Sequence, residues 1–474
     1  LPPLSLLFFV FFLFFHHAFT CYQRLPCLSS CSSPLTAPAT MFGGDEVSAV
    51  VVDVGSVNVK AGFAGDDSPQ AVFPSCVGVQ YTPAKEGVVG ASAVAPSESE
   101  ALPDGVKYER KVTMVGTNQL CVRKDGTSIE SPLNKWGLVD DWDITEHLLH
   151  HTFKSMLHMD AREHPILMVE PNFNTRPLRE KMTELMFEKY QAPAFFVAKS
   201  AMLSAFASCK ATGLVLDSGA ATTTLTPVYD GYVLQKGIVK STLAGRRLED
   251  EYLQLLRANG HTITPRYMVN KKEIGPSEFQ VTVREYPQTT LSYHNYMTNQ
   301  VVRDLKETVC RVSEVFFDAE QNASLPTVAY ELPDGKVTEV GTDRFSIPEL
   351  LFYPHTALPN SIKLPEEYTG LHQMVCDSIT RCDVDIRKEL YGSIIVTGGN
   401  TLFPGFVDRL HKEVTEISPV QKMKLIAVSS PMERRCSSWI GGSILATLGT
   451  FHQMWMSRQE YDEHGRSLVE RKCP

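Results

Sequence analysis

Two stretches of the chain repeat one pattern, and that repeat restricts the fold more than any other feature. "SAVVVDVGSVNVKAGFAGDD" (48–67) is an apolar run ending in an Asp-x-Gly turn, followed by an alternating strand and a Gly/Asp turn. "TGLVLDSGAATTTLTPVYDGY" (212–232) offers strand, Asp turn, strand and Gly/Asp turn again, about 164 residues later. Period-2 alternation bounded by Gly and Asp reads as a β-hairpin. Two such hairpins in one chain predict two related α/β halves, each giving a hairpin to a shared cleft.

The intervening pattern supports alternating strands and helices. "HPILMVEP" reads as a buried strand, and "NTRPLREKMTELMFEKY" as a helix capped at Asn174 or Thr175 with Pro177 in its first turn. "AFFVAKSAMLSAFAS" gives a strand and then a helix. "SIIVTGGNTLFPGF" runs a strand into Gly398-Gly399 ahead of another helix. Residues 244–359 are more polar, with helices expected at "LEDEYLQLLRANG" and "NQVVRDLKETVCRV", and suit an inserted subdomain. "SAVAPSESEALPDG" (92–105) reads as an exposed loop.

Length and charge narrow the classes. At 474 residues, two or more domains are expected. A net charge of −9 and the lack of any run of five Lys/Arg argue against direct, sequence-specific nucleic-acid binding. Of eleven cysteines, no two form a C-x-x-C pair, so buried reduced thiols are expected rather than a zinc site or disulfide framework. Residues 1–40 open with "LPPLSLLFFVFFLFF", which looks like a signal-peptide core but has no basic segment before it and is shorter than a membrane span. The expectation is an upstream-translated or gene-model segment, disordered, with Met41 as the start and no membrane association.

The three glycine turns carry the chemistry. Such turns direct successive N–H groups into a concavity that suits phosphate oxygens. Asp53 and Asp217 could hold the waters of a Mg²⁺ ion, and Lys60 could reach the phosphates as a point charge. Each signal is weak alone, since Asp-x-Gly turns are usually only turns, and Ala and Thr on a hairpin are ordinary strand residues. The ordered set is more specific.

Longer segments carry a family resemblance. "KAGFAGDD", "EHPILMVEP", "REKMTELMFEKY", "YELPDGKV", "RCDVDIRKELYGSIIVTGGNT" and "WIGGSILATLGTFHQMW" closely resemble the actin superfamily over essentially 47–474. "KWGLVDDWD", "FEKYQAPAFFVAKSAML" and "TPRYMVNKKEIGPSEFQV" resemble its nuclear actin-related branch. The resemblance implies an actin-like (ribonuclease H-like) two-lobed ATPase fold, with duplicated α/β domains around a nucleotide cleft. Subdomain 1 would be 41–75, 132–207 and 436–474, and subdomain 2 would be 76–131. Subdomain 3 would be 208–243 and 360–435, and subdomain 4 would be 244–359.

Carried over by residue, the resemblance implies ATP and Mg²⁺ as cofactors. Asp53, Gly55, Ser56 and Lys60 would form the first phosphate loop, and Asp217, Ser218 and Gly219 the second. Arg303, Lys306, Glu307, Gly398, Gly399, Phe403 and Arg435 would form the nucleoside pocket, with Asp53 and Asp217 facing the metal through water. The departures point the other way for catalysis. Val57 replaces a glycine, which restricts backbone approach to the phosphates. Ser200, Ala220 and Thr224 stand where actin has a glutamine, an aspartate and a histidine around the attacking water. Losing acid–base and positioning groups costs roughly 10²–10⁴-fold in such steps. ATP binding with very slow or absent hydrolysis is therefore expected.

The resemblance also implies a groove at Leu445, Leu448, Thr450 and Met454 for partner helices. The expected partners are monomeric actin and a scaffold helix of chromatin-remodelling or histone-acetyltransferase subunits, with histones a further candidate, which places the chain in the nucleus. The competing reading is a conventional actin-like ATPase forming cytoskeletal filaments. The divergent region 76–131 and the segment after "LLFYPHTALPN" argue against it.

Overall fold

The computed structural model describes residues 48–83, 108–275, 278–318, 325–355 and 364–474. The signal-like segment, the Ser/Pro/acid tract and residues 356–363 lie outside the described residues.

Each half is built on a hairpin extended by parallel strands. In the first, β1 (Val50–Val54) pairs antiparallel with β2 (Asn58–Phe63), which pairs with β3 (Ala71–Pro74). A three-stranded sheet follows, made of β4 (Val77–Pro83), β5 (Tyr108–Val115) and β6 (Thr127–Glu130), with β4 central. On its other side β1 pairs parallel with β7 (Ile166–Glu170), and β7 pairs parallel with β8 (Ala194–Lys199). In the second half, β9 (Gly213–Ser218) pairs antiparallel with β10 (Thr223–Tyr229), and the short strands β11 (Tyr232–Val233) and β12 (Val239–Ser241) both pair with β10. Two separate hairpins come next, β13 (Val269–Gly275) with β14 (Glu278–Val283) and β15 (Val328–Glu331) with β16 (Val337–Val340). β9 then pairs parallel with β17 (Ile394–Thr397), which pairs with β18 (Leu425–Ala427). Thus β2–β1–β7–β8 and β10–β9–β17–β18 are the same arrangement made twice, and the expected duplication of α/β halves is present.

Five helices matter for the site. α1 (Arg176–Glu184) crosses between β7 and β8, as a parallel connection requires. Thr175 occupies its N-cap position without a side-chain cap bond, and Asn174 Oδ1 instead accepts from the Thr175 amide at 2.9 Å. α2 (Ser200–Ala207) leaves β8 directly. α3 (Gly245–Ala258) and α4 (Leu291–Val309) match the two expected helices, although α4 starts eight residues before "NQVVRDLKETVCRV" because Thr290 caps Tyr293 N. α5 (Pro431–Thr447) is capped by Ser430.

Each half has its own core. The first gathers β1, β7 and β8 around Phe153, Phe187, Phe195 and Trp439, and the second gathers β9 and β17 with Tyr252, Leu305, Phe352 and Phe406. α5 belongs mainly to the first, where Trp439 Nε1 donates to Val51 O at 3.0 Å. Gly441 lets α5 cross α2 at close range, since a Cβ there would overlap the Leu203 carbonyl. Of the eight described cysteines, none is in a disulfide and five are buried, while Cys121 and Cys209 are exposed rather than buried as expected. No helix among the described residues is long and apolar enough to cross a membrane.

Candidate functional site

The two hairpins face one cleft of about 320 Å³, a volume within the range of small-molecule sites. Register makes their turns equivalent. Asp53 lies opposite Lys60 in the first hairpin, and Asp217 lies opposite Thr224 in the second. Gly55 N donates to Asn58 O at 3.1 Å, and Gly219 N donates to Thr222 O at 3.0 Å, so each turn is closed across its own mouth. Ser75 Oγ holds the first from behind through Gly55 O at 2.6 Å.

The charges are arranged asymmetrically. Lys60 Nζ lies 3.0 Å from Asp53 Oδ2, and Ser438 Oγ donates to the same oxygen at 3.1 Å. Burial pulls the Lys60 ammonium down, but Asp53, with Cys436 and Asp217 beyond it, more than offsets this and raises its pKa. Asp217 has no such partner. Burial pushes its carboxyl up to about 6, Lys60 draws it back, and Asp53 adds to the rise. A carboxylate held in this state is relieved by an added cation.

Gly398 closes the space beside Asp217. It has φ +93°, and a Cβ there would lie 2.6 Å from Asp217 Oδ1 and nearer still to the Ser218 carbonyl. Only glycine allows the third turn this close to the second. Asp53, Gly55, Ser56, Lys60, Asp217, Gly219, Arg303, Lys306, Glu307, Gly398, Gly399, Phe403 and Arg435 all line the cleft. Ser218 does not. Its side chain is buried, meeting Thr223 Oγ1 at 2.9 Å and accepting from Asn400 Nδ2 at 3.3 Å.

Several contributors were not legible in the sequence. Glu249 anchors two lining cations, taking a bidentate pair from Arg303 (2.9 and 3.0 Å) and a bond from Lys306 at 2.9 Å. Although burial would raise it, those cations hold Glu249 below the ordinary carboxylate value. Arg246 donates to Ser56 O across the cleft, and Arg435 pairs with Glu307 at 2.9 Å. Lys240, beside Thr224 in register, sits over the rings of Trp136 (4.6 Å) and Phe173 (4.4 Å), so a cation of the second half is held by two aromatic rings of the first.

Ser200, Ala220 and Thr224 also line the cleft. The amide of Asn172 lies beside Ser200, whose Oγ donates to its Oδ1 at 3.4 Å. Its Oδ1 accepts from Ala201 N at 2.9 Å and its Nδ2 donates to Thr226 Oγ1 at 3.1 Å. Glu170 is likewise held by Arg179 at 3.0 Å and Lys199 at 3.1 Å.

The family profile described as Actin matches residues 44–474. The chain belongs to the actin family. It is 47% identical over 446 residues to "Actin-related protein 4" of Oryza sativa subsp. indica, covering 92% of this chain and all of that relative. "Actin-related protein 4" of Arabidopsis thaliana is 45% identical over 448 residues, with 92% and 100% covered. The duplicated halves described above are the actin fold, and the cleft is that of an actin-family member.

Magnesium nucleotide suits the residues of this actin-family cleft. It would be held by the two glycine-turn hairpins and Lys60 at its phosphates, and by Arg303, Lys306 and the Gly398 turn at its nucleoside. Among the described residues no group of three or more His, Cys, Asp or Glu could hold a metal alone. The Asp53–Asp217 pair instead suits an ion that keeps most of its waters. Of the groove positions, Leu445 is buried in the first core, Leu448 and Met454 are half-buried, and Thr450 is exposed, beside exposed Ile444 and Thr447.

Proposed function

We propose that this actin-related chain binds ATP with Mg²⁺ as a structural cofactor, with weak or no hydrolysis. It serves as a nuclear subunit that pairs with monomeric actin on a scaffold helix of chromatin-remodelling and histone-acetyltransferase complexes. The observation that carries the nucleotide part is the contrast within one cleft. Asp53, Lys60, Asp217 and the glycine turns, which suit phosphate and a hydrated cation, line the cleft, whereas Ser200, Ala220 and Thr224 line it without an acid, amide or imidazole. Hydrolysis needs a held and deprotonated water, and two further lining groups, Asn172 and Glu170, already bond Ala201 and Thr226, and Arg179 and Lys199. The nuclear part rests on the likeness to "Actin-related protein 4" and on the resemblance to nuclear actin-related proteins.

One preparation tests both parts. Purified full chain is expected to carry stoichiometric ATP, to release phosphate far more slowly than actin, and to retain actin together with a scaffold helix on an affinity matrix. Actin-like phosphate release during assembly would instead support the filament-forming ATPase. Failure to hold actin and the helix would remove the scaffold role.

A further inference from the structure

A two-stranded ribbon stands apart from both large sheets. β13 and β14 pair only with each other among the described residues. Residues 270–274, 279, 280 and 282–285 are all exposed, Phe279 by 56% and Val283 by 53%. Lys271 Nζ meets Glu331 Oε1 at 3.0 Å, and Val281 lies against the Gly335 turn, so the ribbon is fastened on one side. A lone pair of strands is marginal in water, and a third strand or a well-packed face is what makes such a ribbon stable.

The two edges of the ribbon differ. β13 carries Lys271, Lys272 and Glu273 and a register shift between Glu273 and Gly275. Charge and bulging are what keep an edge strand from pairing further. β14 instead runs Phe-Gln-Val-Thr-Val over 279–283, with no charge, proline or bulge. Arg284 N donates to Met268 O at 2.8 Å, which fixes the alternation along the pair. The backbone groups of Gln280 and Thr282 therefore face β13, and those of Phe279, Val281 and Val283 face outward. Among the described residues, no strand takes up these outward groups.

The open edge is complementary to itself. Two β14 strands laid antiparallel about Val281 set Phe279 across from Val283, Gln280 across from Thr282, and Val281 across from Val281. Outward groups then meet only outward groups. The same register sets an acid, Glu278, across from a base, Arg284. Aromatic–β-branched and opposite-charge pairs are the ones that stabilise neighbouring strands. Centring on Gln280 would set Val283 against Ser277, and centring on Thr282 would set Phe279 against Glu285. We propose that two copies of this chain associate through β14, making one antiparallel sheet in the order β13–β14–β14–β13. The twofold axis closes the assembly at two copies, and the charged, bulged β13 strands end the sheet on both sides. Six residues from each copy are far fewer than the roughly 20–30 of a stable interface, so the dimer is weak and reversible. It needs neither the nucleotide nor the partners proposed above.

The test is sedimentation velocity of the purified full chain between about 1 and 200 μM, with amide hydrogen exchange at both ends of that range. Expected is a monomer–dimer equilibrium in which the amides of Phe279, Val281 and Val283 gain protection with concentration. Those of Gln280 and Thr282, already bonded to β13, should not change. Arg284→Glu sets like charges across the axis twice and should weaken the dimer about tenfold, and Glu278→Arg/Arg284→Glu should restore it. Val281→Pro removes an outward N–H and should abolish association. Thermal unfolding checks each fold, and Arg284→Glu, at an exposed position, carries the test should Val281→Pro not fold. A monomer at every concentration overturns the proposal and leaves the edge to a strand of another protein. A dimer insensitive to Arg284→Glu, or one without the alternating protection, places the interface elsewhere and overturns it as well. Growth beyond two copies overturns the closed pair.

Discussion

Lys60 and Thr224 occupy equivalent places in the two hairpins, each directly across from the aspartate near the end of the preceding strand. Asp53 therefore faces an ammonium, whereas Asp217 faces a small hydroxyl side chain. Replacing Lys60 with Ala leaves Asp53 only the Ser438 hydroxyl. Removing one partner of a buried pair costs about 3–5 kcal/mol, and partial exposure of these side chains (17% and 12%) puts the expected loss at or below the lower end. The urea midpoint of Lys60→Ala should fall accordingly, and the purified variant should carry little nucleotide.

Hydrolysis is the second prediction. The triple variant Ser200→Gln/Ala220→Asp/Thr224→His puts an amide, an acid and an imidazole back around the same stretch of cleft. Phosphate release should rise at least tenfold over the parent, with bound ATP retained. An unchanged rate at full occupancy would show that something other than these three positions limits cleavage.

Gly398→Ala tests the third turn. The added Cβ meets Asp217 and the Ser218 carbonyl in a backbone region where non-glycine residues are already strained by about 1–3 kcal/mol. A large drop in unfolding temperature is expected, with loss of nucleotide exceeding that of Gly449→Ala, where a Cβ meets nothing within 4 Å.

Acid sensitivity should centre on half-buried histidines. Burial holds His372 below the ordinary histidine value despite nearby Glu413 and Glu416, with Arg409 adding to the fall, and its Nδ1 is buried without a partner. His151 and His294 are lowered for the same first reason. The unfolded chain thus binds more protons at these sites, so their stability is present above about pH 6.5 and is lost as pH falls through the lower folded values. Urea midpoints measured from pH 7.5 to 5 should decline, and His372→Phe should flatten part of that slope.

Lys240 offers a separate handle on how the halves hold together. A cation between two rings contributes about 0.5–2 kcal/mol per ring, depending on desolvation. Lys240→Met keeps the aliphatic stem but not the charge. A single cooperative unfolding transition should broaden or split in this variant, whereas Lys236→Met, on a lysine without such rings, should match the parent.

Both hairpins, their aspartates and the helices after β7 and β8 could be read directly, because strand alternation and turn chemistry are local. What could not be read comes from contacts between distant segments. Glu249 anchors Arg303 across 54 residues, and Asn172 caps Ala201 across 29. The inward turn of the Ser218 side chain toward Thr223 and Asn400 is of the same kind. No periodicity encodes such pairings.

The bond from Ser438 to Asp53 joins residues 385 positions apart, and Trp439 meets Val51 across 388. At synthesis rates of about 5–20 residues per second, β1 therefore waits roughly 20–80 s for the helix that covers it. Until then an apolar strand and half of a charged pocket stand open on the ribosome. The strand Val50–Val54 thus depends on whatever shields nascent chains, and the yield in an expression host should respond to that protection as well as to the stability of the finished fold.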